Sequence, residues 1–249
     1  MPAVMEADDL GTYVVKFRGA AQGPKALVAE LVAGELGRAL GLPVPDIVLC
    51  EVDPELGRAE PDTEIRELLR ASGGENLALD FLPGAIGYDP AVLAVAPDLA
   101  ARVVWFDALV TNVDRTPRNP NLLVWHRALW LIDHGAALYF HHDLRGDPER
   151  SRSPFAAIRD HVLLGAARVP GALEALEGLE ALEALEAIDA ELAPRVTPEL
   201  VAGILAQVPD AWLETDAGID AVQARALYAA FFARRLEAPR PFLEATRVR

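Results

Sequence analysis

The stretch Thr111–Gly135 reads TNVDRTPRNPNLLVWHRALWLIDHG, and it decides how the chain is read. Asp114 is followed five residues later by Asn119, and fourteen residues after that by Asp133. Between the last two, NLLVW and LWLID have the apolar and aromatic content of short strands, with His126-Arg127 as the turn. A hairpin of that kind returns Asp133 to the side of Asn119. Taken singly, Asp114 and Asn119 are ordinary turn residues of a proline-rich loop. The three oxygen-bearing side chains together suit a different chemistry. Mg²⁺ takes hard oxygen ligands from one or two side chains plus phosphate oxygens, a role that fits Asn119 and Asp133. Asp114 is then available to accept a proton from a hydroxyl nucleophile.

The rest of the chain sets bounds on this reading. Its 249 residues suffice for a sizeable core, as one large domain or two lobes. Apolar residues make up 52% and charged residues 24%, a globular composition. No apolar run approaches the length of about 20 residues that a membrane span needs, and the acidic start MPAVMEADDLG is not a secretory signal. The single cysteine, Cys50, lies in the apolar run DIVLCEV and reads as a structural thiol with no disulfide framework. A cytoplasmic protein is the expectation. The net charge of −15 disfavours nucleic acid and anionic membrane surfaces as partners. Seven of the acids fall in 173–192, which has no base and so leaves −8 for the remainder. Leucines recur there every three residues, a period that spirals around an α-helix. The segment reads as a low-complexity helical insert and as a candidate surface for a partner protein. The end of the chain, from Arg225, is locally basic and reads as a helix with a solvated arginine face followed by a loose end.

Only two of the 23 basic residues are lysines, Lys16 and Lys25. Lys16 is therefore conspicuous in TYVVKFRG, a strand by its β-branched and aromatic content, where alternation puts it on one face with Val14. KALVAELVAGELGRALG follows as a helix with Glu30 and Glu35 on it, ended by Gly41 and Pro43. DIVLCEVD reads as a second strand, DTEIRELLRAS as a short helix, and NLALDFL as a third strand closed by Pro83-Gly84. The first 85 residues or so thus read β-α-β-α-β. From Pro97 the pattern is mainly helical, with helices expected at 155–168, 171–193, 198–207 and 219–237. Thr197-Pro198-Glu199 is a strong helix start, and Val196 with Val201 suits a hydrophobic staple.

VDRTPRNPNLLVW…LWLIDHG resembles the catalytic and metal loops of the HipA-like kinases and, beyond them, the phosphoinositide kinases. YVVKF, LGLPVP and DFLPGA also resemble segments of the compact, single-chain members of that family. The resemblance implies an α+β, two-lobed, protein-kinase-like fold, with a β-rich lobe over 1–82 and a mainly helical lobe over 83–249. It implies ATP- and Mg²⁺-dependent transfer of a phosphoryl group to a hydroxyl, with a Ser/Thr of a protein as acceptor. A small-molecule or lipid acceptor and a nucleotide-binding pseudokinase are the alternatives. By the same resemblance Asp114 is the catalytic aspartate, Asn119 and Asp133 are the metal ligands, and Lys16, oriented by Glu30, grips phosphates. Asp80, Phe81 and Leu82 form the hinge that offers backbone groups to adenine. Arg115 or Arg118 would neutralise charge on the transferred group. Two positions depart from the family pattern: Thr116 stands where histidine is usual and His134 where phenylalanine is usual. No glycine-rich run precedes Thr12, so a phosphate-covering hairpin would be short or incomplete. GAAQGPKA lacks the spacing and the hydroxyl of a phosphate-binding loop. The histidines His134, His141 and His142 with Asp143 offer a weaker alternative, a metal hydrolase, without the ligand spacing that zinc requires.

Overall fold

The computed structural model describes residues 2–166, 177–214 and 218–246. The first part is a four-stranded antiparallel sheet in the order β1-β2-β4-β3: Pro2–Glu6, Thr12–Lys16, Gly74–Asp80 and Ile47–Val52. Helix α1 (Gly23–Ala39) follows β2, and α2 (Thr63–Ala71) lies between β3 and β4. β1 adds a strand to the expected order. PAVME is short and acidic, and it becomes a strand only by pairing with β2 from Pro2↔Lys16 to Glu6↔Thr12.

The two faces of this sheet have different jobs. Val15, Phe17, Val52 and Ala78 form a small cluster with Leu68 and Leu69 of α2. Leu77 and Leu79 face the other way, into a continuous core with α1. Lys16 lies directly opposite Leu77 in the β2–β4 register, and opposite residues of an antiparallel pair share a face. The register thus aims the Lys16 side chain at α1. That helix packs close because Gly34 has no side chain; a Cβ there would sit 2.3 Å from Ile47 of β3. Gly41, with φ +83°, ends the helical region as its sequence implied.

A second sheet, β5-β6-β7, joins Ile86–Gly87 to the hairpin Leu122–Trp125 and Ala128–Leu131. His126 and Arg127 both have positive φ, 49° and 65°, as a two-residue hairpin turn of this hand requires. Trp125 and Trp130 meet edge to face across it at 5.5 Å. Helix α3 (Pro97–Leu109) runs through the main core and delivers the chain to Asp114; Trp105 and Phe106 are fully buried in it.

The remaining helices are α4 (Glu177–Leu192), α5 (Pro198–Leu205), α6 (Asp210–Leu213) and α7 (Ala221–Leu236). Thr197 caps α5 by accepting from Leu200 N, and Val196 and Val201 are both buried beside it. In α4 the described half is an ordinary docked helix: Leu185, Ile188 and Leu192 are buried at a spacing of three and four. The earlier part of the leucine repeat, up to residue 176, lies outside the described residues.

Two expectations need correction. The described residues of the helix expected at 155–168, up to 166, do not make an α-helix; they form a 3₁₀ turn, Ala156–Asp160, followed by irregular turns. The His161 ring accepts from Leu163 N and bonds Asp107, which draws the chain away from a helical path. Residues 139–143 form a 3₁₀ turn. The late arginines are not a solvated face. Arg225 binds the carbonyls of Leu205 and Val208, Arg235 is buried, and Arg240 pairs with Asp189. Among the described residues no helix is long and apolar enough to cross a membrane.

Candidate active site

Lys16 Nζ lies 2.6 Å from Glu30 Oε2 and 2.6 Å from Asp133 Oδ1. Strand β2, helix α1 and the end of β7 thus meet at one ammonium group, although Lys16 and Asp133 are 117 residues apart. The two carboxylates are not equivalent. Glu30 is fully buried, while the Asp133 side chain is 51% exposed. Burial would raise the Glu30 carboxyl, but the Lys16 charge outweighs it and, with His134, holds the group down to about 2. Burial would lower Lys16, and the two carboxylates reverse this so that its pKa is raised. Glu35, the other acid of α1, lies beside Arg38 instead. His134 is fully buried, edge-on to Phe106 at 6.0 Å. Its Nδ1 stands 3.6 Å from Glu30 Oε1, too long for a hydrogen bond. The imidazole thus fills the usual phenylalanine position as a packed ring.

The loop after α3 places the other two residues. Asn119 Nδ2 donates to Asp114 Oδ2 at 2.7 Å, and Asn121 Nδ2 donates to the same oxygen and to the Asp114 carbonyl, both at 3.2 Å. Asp114 N donates to Asn112 Oδ1 at 3.1 Å. Asp114 is therefore held by three asparagines. Thr116, in the place of the family's histidine, bridges Asn119 through paired backbone bonds and accepts from Asn119 N with its hydroxyl. Ile132 N donates to Asn121 O at 3.1 Å, which ties the residue before Asp133 to the loop that carries Asn119 and Asn121.

Behind this loop lies a cluster that the sequence reading did not identify. Asp107 of α3 is fully buried, with Oδ2 accepting from Arg115 Nε at 2.5 Å and contacting His161 Nε2 at 2.8 Å, and Oδ1 accepting from Asn112 at 3.0 Å. Burial opposes ionisation of Asp107, but Arg115 and His161 prevail and lower its pKa. Arg115 Nη1 also donates to the carbonyls of Asn121 and Ile132. Arg115 is thus a structural clamp on both ends of the loop, and its expected role on the transferred group is not available to it. Arg118 is exposed. One signal was present in the sequence: Asp107 is a lone acid in the apolar run VVWFDALV. Around the loop, Thr111, Asn121, Asp133 and Leu138 all have positive φ. For the β-branched Thr111 at 55° this is a real strain, and such residues cost about 1–3 kcal/mol each.

At the expected hinge segment, Asp80 N donates to Asp46 O and Phe81 N to Thr12 O. Of the three amides expected there, Leu82 N–H is the one without an internal acceptor among the described residues. Trp125 Nε1 donates to Pro83 O at 3.0 Å, tying the hairpin to the hinge. The histidines His141 and His142 with Asp143 do not assemble a metal site: among the described residues no group of three or more His, Cys, Asp or Glu is placed to hold a metal. His141 is buried against Tyr228, Nδ1 to the hydroxyl at 3.0 Å.

Comparison with curated proteins returns no match. Among solved structures, the chain is similar to the Helicobacter pylori proinflammatory kinase CtkA, at 13% identity and a TM-score of 0.50, over 99% of this chain and 92% of that one. That likeness establishes a kinase-like α+β fold. The model of the HipA-like kinases matches residues 2–160, well over half of the sequence. With the lysine strand, the asparagine-held aspartate and the aspartate after the hairpin all inside the matched span, this chain belongs to the HipA-like kinase family.

Proposed function

We propose that the protein transfers the γ-phosphoryl group of ATP to a serine or threonine hydroxyl of a protein, with Mg²⁺. The observation that carries this reading is the shared ammonium of Lys16, held at 2.6 Å by both a buried glutamate and a half-exposed aspartate. A lysine fixed in this way presents a positive charge at a chosen point, and phosphoryl transfer depends almost entirely on positioning and charge. In this reading the chain is two-lobed, with residues 1–82 gripping nucleotide and 83–249 supplying the catalytic loop.

The residues fit a hard cation. Asp133 uses one oxygen on Lys16 and keeps the other uncommitted. Asn119 donates its side-chain amide N–H to Asp114, and its side-chain oxygen Oδ1 has no hydrogen bond among the described residues. These two oxygens would hold Mg²⁺, which when bound neutralises charge on the phosphates. Lys16 holds phosphate oxygens, and the Leu82 amide meets the adenine edge. Asp114, oriented by Asn119 and Asn121, accepts the proton as the acceptor oxygen bonds to the γ-phosphorus and the bond from that phosphorus to the β,γ-bridging oxygen breaks. ADP leaves with the bond's electron pair.

The test combines binding and turnover. ATP with Mg²⁺ should raise the melting temperature, and label from the γ-phosphate should reach a protein substrate. Both the stabilisation by Mg²⁺ and the transfer should be lost in Asp133→Asn, and transfer alone in Asp114→Ala. Stabilisation without transfer to any acceptor would leave a nucleotide-binding protein and refute the catalytic reading.

A further inference from the structure

A cavity of about 440 Å³ lies against the segment that leads into Asp114. Its volume falls in the range of ligand pockets, and nothing in the site described above uses it. Thr111 and Val113 form one wall, and the chain that follows Gly135, from Tyr139 to Phe155, forms the other. The floor is apolar: Phe140 stacks on Phe231 of α7 at 4.1 Å and 7°, beside Leu227 and Phe155.

The walls are fixed to each other. Leu138 N donates to Val110 O at 2.7 Å, and Tyr139 N to Thr111 Oγ1 at 3.2 Å. Arg235, buried under the cavity, donates to the carbonyls of Ala108 and Leu109 at the end of α3 and of Ser151 and Ser153 on the opposite wall. One guanidinium therefore sets the width. A cavity pinned this way is preformed, so an occupant does not have to order it.

The charges at the mouth are mostly committed. Arg150 pairs with Asp143 at 3.1 Å, and Asp147 accepts from Glu149 N. Arg234, on the last turn of α7, has no ion-pair partner among the described residues. The mouth thus presents one free guanidinium beside an apolar hollow. Asp114 itself does not line the cavity; its chain neighbour Val113 does. An occupant must therefore carry its apolar group and its hydroxyl at separate points. An extended peptide does this, since it spaces side chains by about 3.3 Å per residue. A small alcohol does not.

We propose that this cavity recognises the acceptor: it seats a bulky apolar side chain of a peptide whose Ser or Thr hydroxyl faces Asp114, while an acidic residue of the same peptide pairs with Arg234. The proposal rests on the phosphoryl-transfer reading above and adds the surface that holds the acceptor peptide and the residues that surface selects.

The experiment uses the full chain with ATP, Mg²⁺ and a positional-scanning library of Ser and Thr peptides, with basal ATP hydrolysis followed in parallel. The wild type should select an aromatic or branched residue at one fixed offset from the acceptor by about 10- to 200-fold over alanine, and an acid at another. Ser153→Trp adds bulk from an exposed position at the rim, and should lower kcat/KM for the preferred peptide by about the same factor while leaving ATP hydrolysis and melting temperature unchanged. Arg234→Glu should convert the acidic preference to a basic one. ATP turnover with no residue selection, with full peptide activity in Ser153→Trp, or with transfer to small alcohols or lipids but no peptide, overturns this proposal alone. Absence of any Mg²⁺-dependent ATP turnover overturns the phosphoryl-transfer reading and this proposal with it.

Discussion

Two ionic clusters flank the same loop, and they differ in how completely they are closed. In the inner one, both oxygens of Asp107 are engaged, by Arg115, His161 and Asn112, and no member is more than slightly exposed. In the outer one, Lys16 joins a buried Glu30 to an Asp133 that is half in solvent, and one oxygen of each carboxylate has no hydrogen bond among the described residues. Burying charge costs free energy that only saturated partners offset. The inner cluster is closed to solvent and both oxygens of its carboxylate are engaged, although Arg115 Nη2 is buried without a partner; its effect is to fix the backbone of residues 115, 121 and 132. The outer cluster keeps the half-exposed Asp133 on its open side, where, in the proposed function, a cation or phosphate would complete it.

The largest expected effect separates chemistry from folding. Asp114→Asn should reduce phosphoryl transfer by about 10²- to 10⁴-fold while the melting temperature stays within a degree or two. Retained activity in this variant would remove Asp114 from the proposed chemistry. A comparable free energy should appear as stability in the inner cluster. Asp107→Ala leaves Arg115 buried without its carboxylate, and urea unfolding should show a loss of about 3–5 kcal/mol. Asp133→Asn, its outer counterpart, should lose less than about 1 kcal/mol, because half-exposed pairs are weak. Equal losses for the two would erase the distinction drawn here.

Acid titration should sharpen it further. Glu30 has an ordinary value of 4.5 and a folded value of about 2. A depressed folded pKa stabilises the protein above the ordinary value, and that contribution is lost as pH falls from 4.5 toward 2. A shift of that size corresponds to about 3 kcal/mol at most. Asp107 is shifted in the same direction from 3.8, so its contribution is likewise lost in acid. Stability measured from neutral pH downward should hold steady to about 5 and then fall. Asp107→Asn should make the fall shallower, which is the outcome to check by denaturation at several pH values. The smallest effect belongs to a third, surface cluster. Arg102 binds Glu191 through two nitrogens and Asp98 through a third. Arg102→Ala should cost about 1 kcal/mol or less and leave transfer unchanged.

Much of the outer cluster was legible in the sequence because its signals are local. A lysine in a lysine-poor chain, a glutamate on the next helix and a loop-hairpin-aspartate spacing can each be read within a short window. The inner cluster was not legible. His161 meets Asp107 across 54 residues, and neither its spacing nor its neighbours mark the contact. Arg115 shows the hazard directly: next to a catalytic candidate it invites a role on the substrate, and only its depth reveals a clamp. Arg235 is a parallel case, since a basic helix end reads as solvated until its four carbonyl partners are in place. The strand at Pro2–Glu6 and the 3₁₀ turns from Tyr139 to Asp160 escaped for another reason. Their conformation is imposed by partners from outside the segment, not by their own periodicity.

By itself the sequence determined the order of most elements, the hairpin and its turn, the helix that carries Glu30, and the residue types able to bind phosphate and a hard cation. Local propensity, apolar period and turn chemistry act over a few residues and are written there. The tertiary structure alone decided that Asp107 and His161 meet behind the loop, that Arg115 points inward, and that an apolar cavity opens against Thr111 and Val113. Each of those depends on which buried charges find partners across long stretches of chain, and desolvation settles that choice only once the chain is packed.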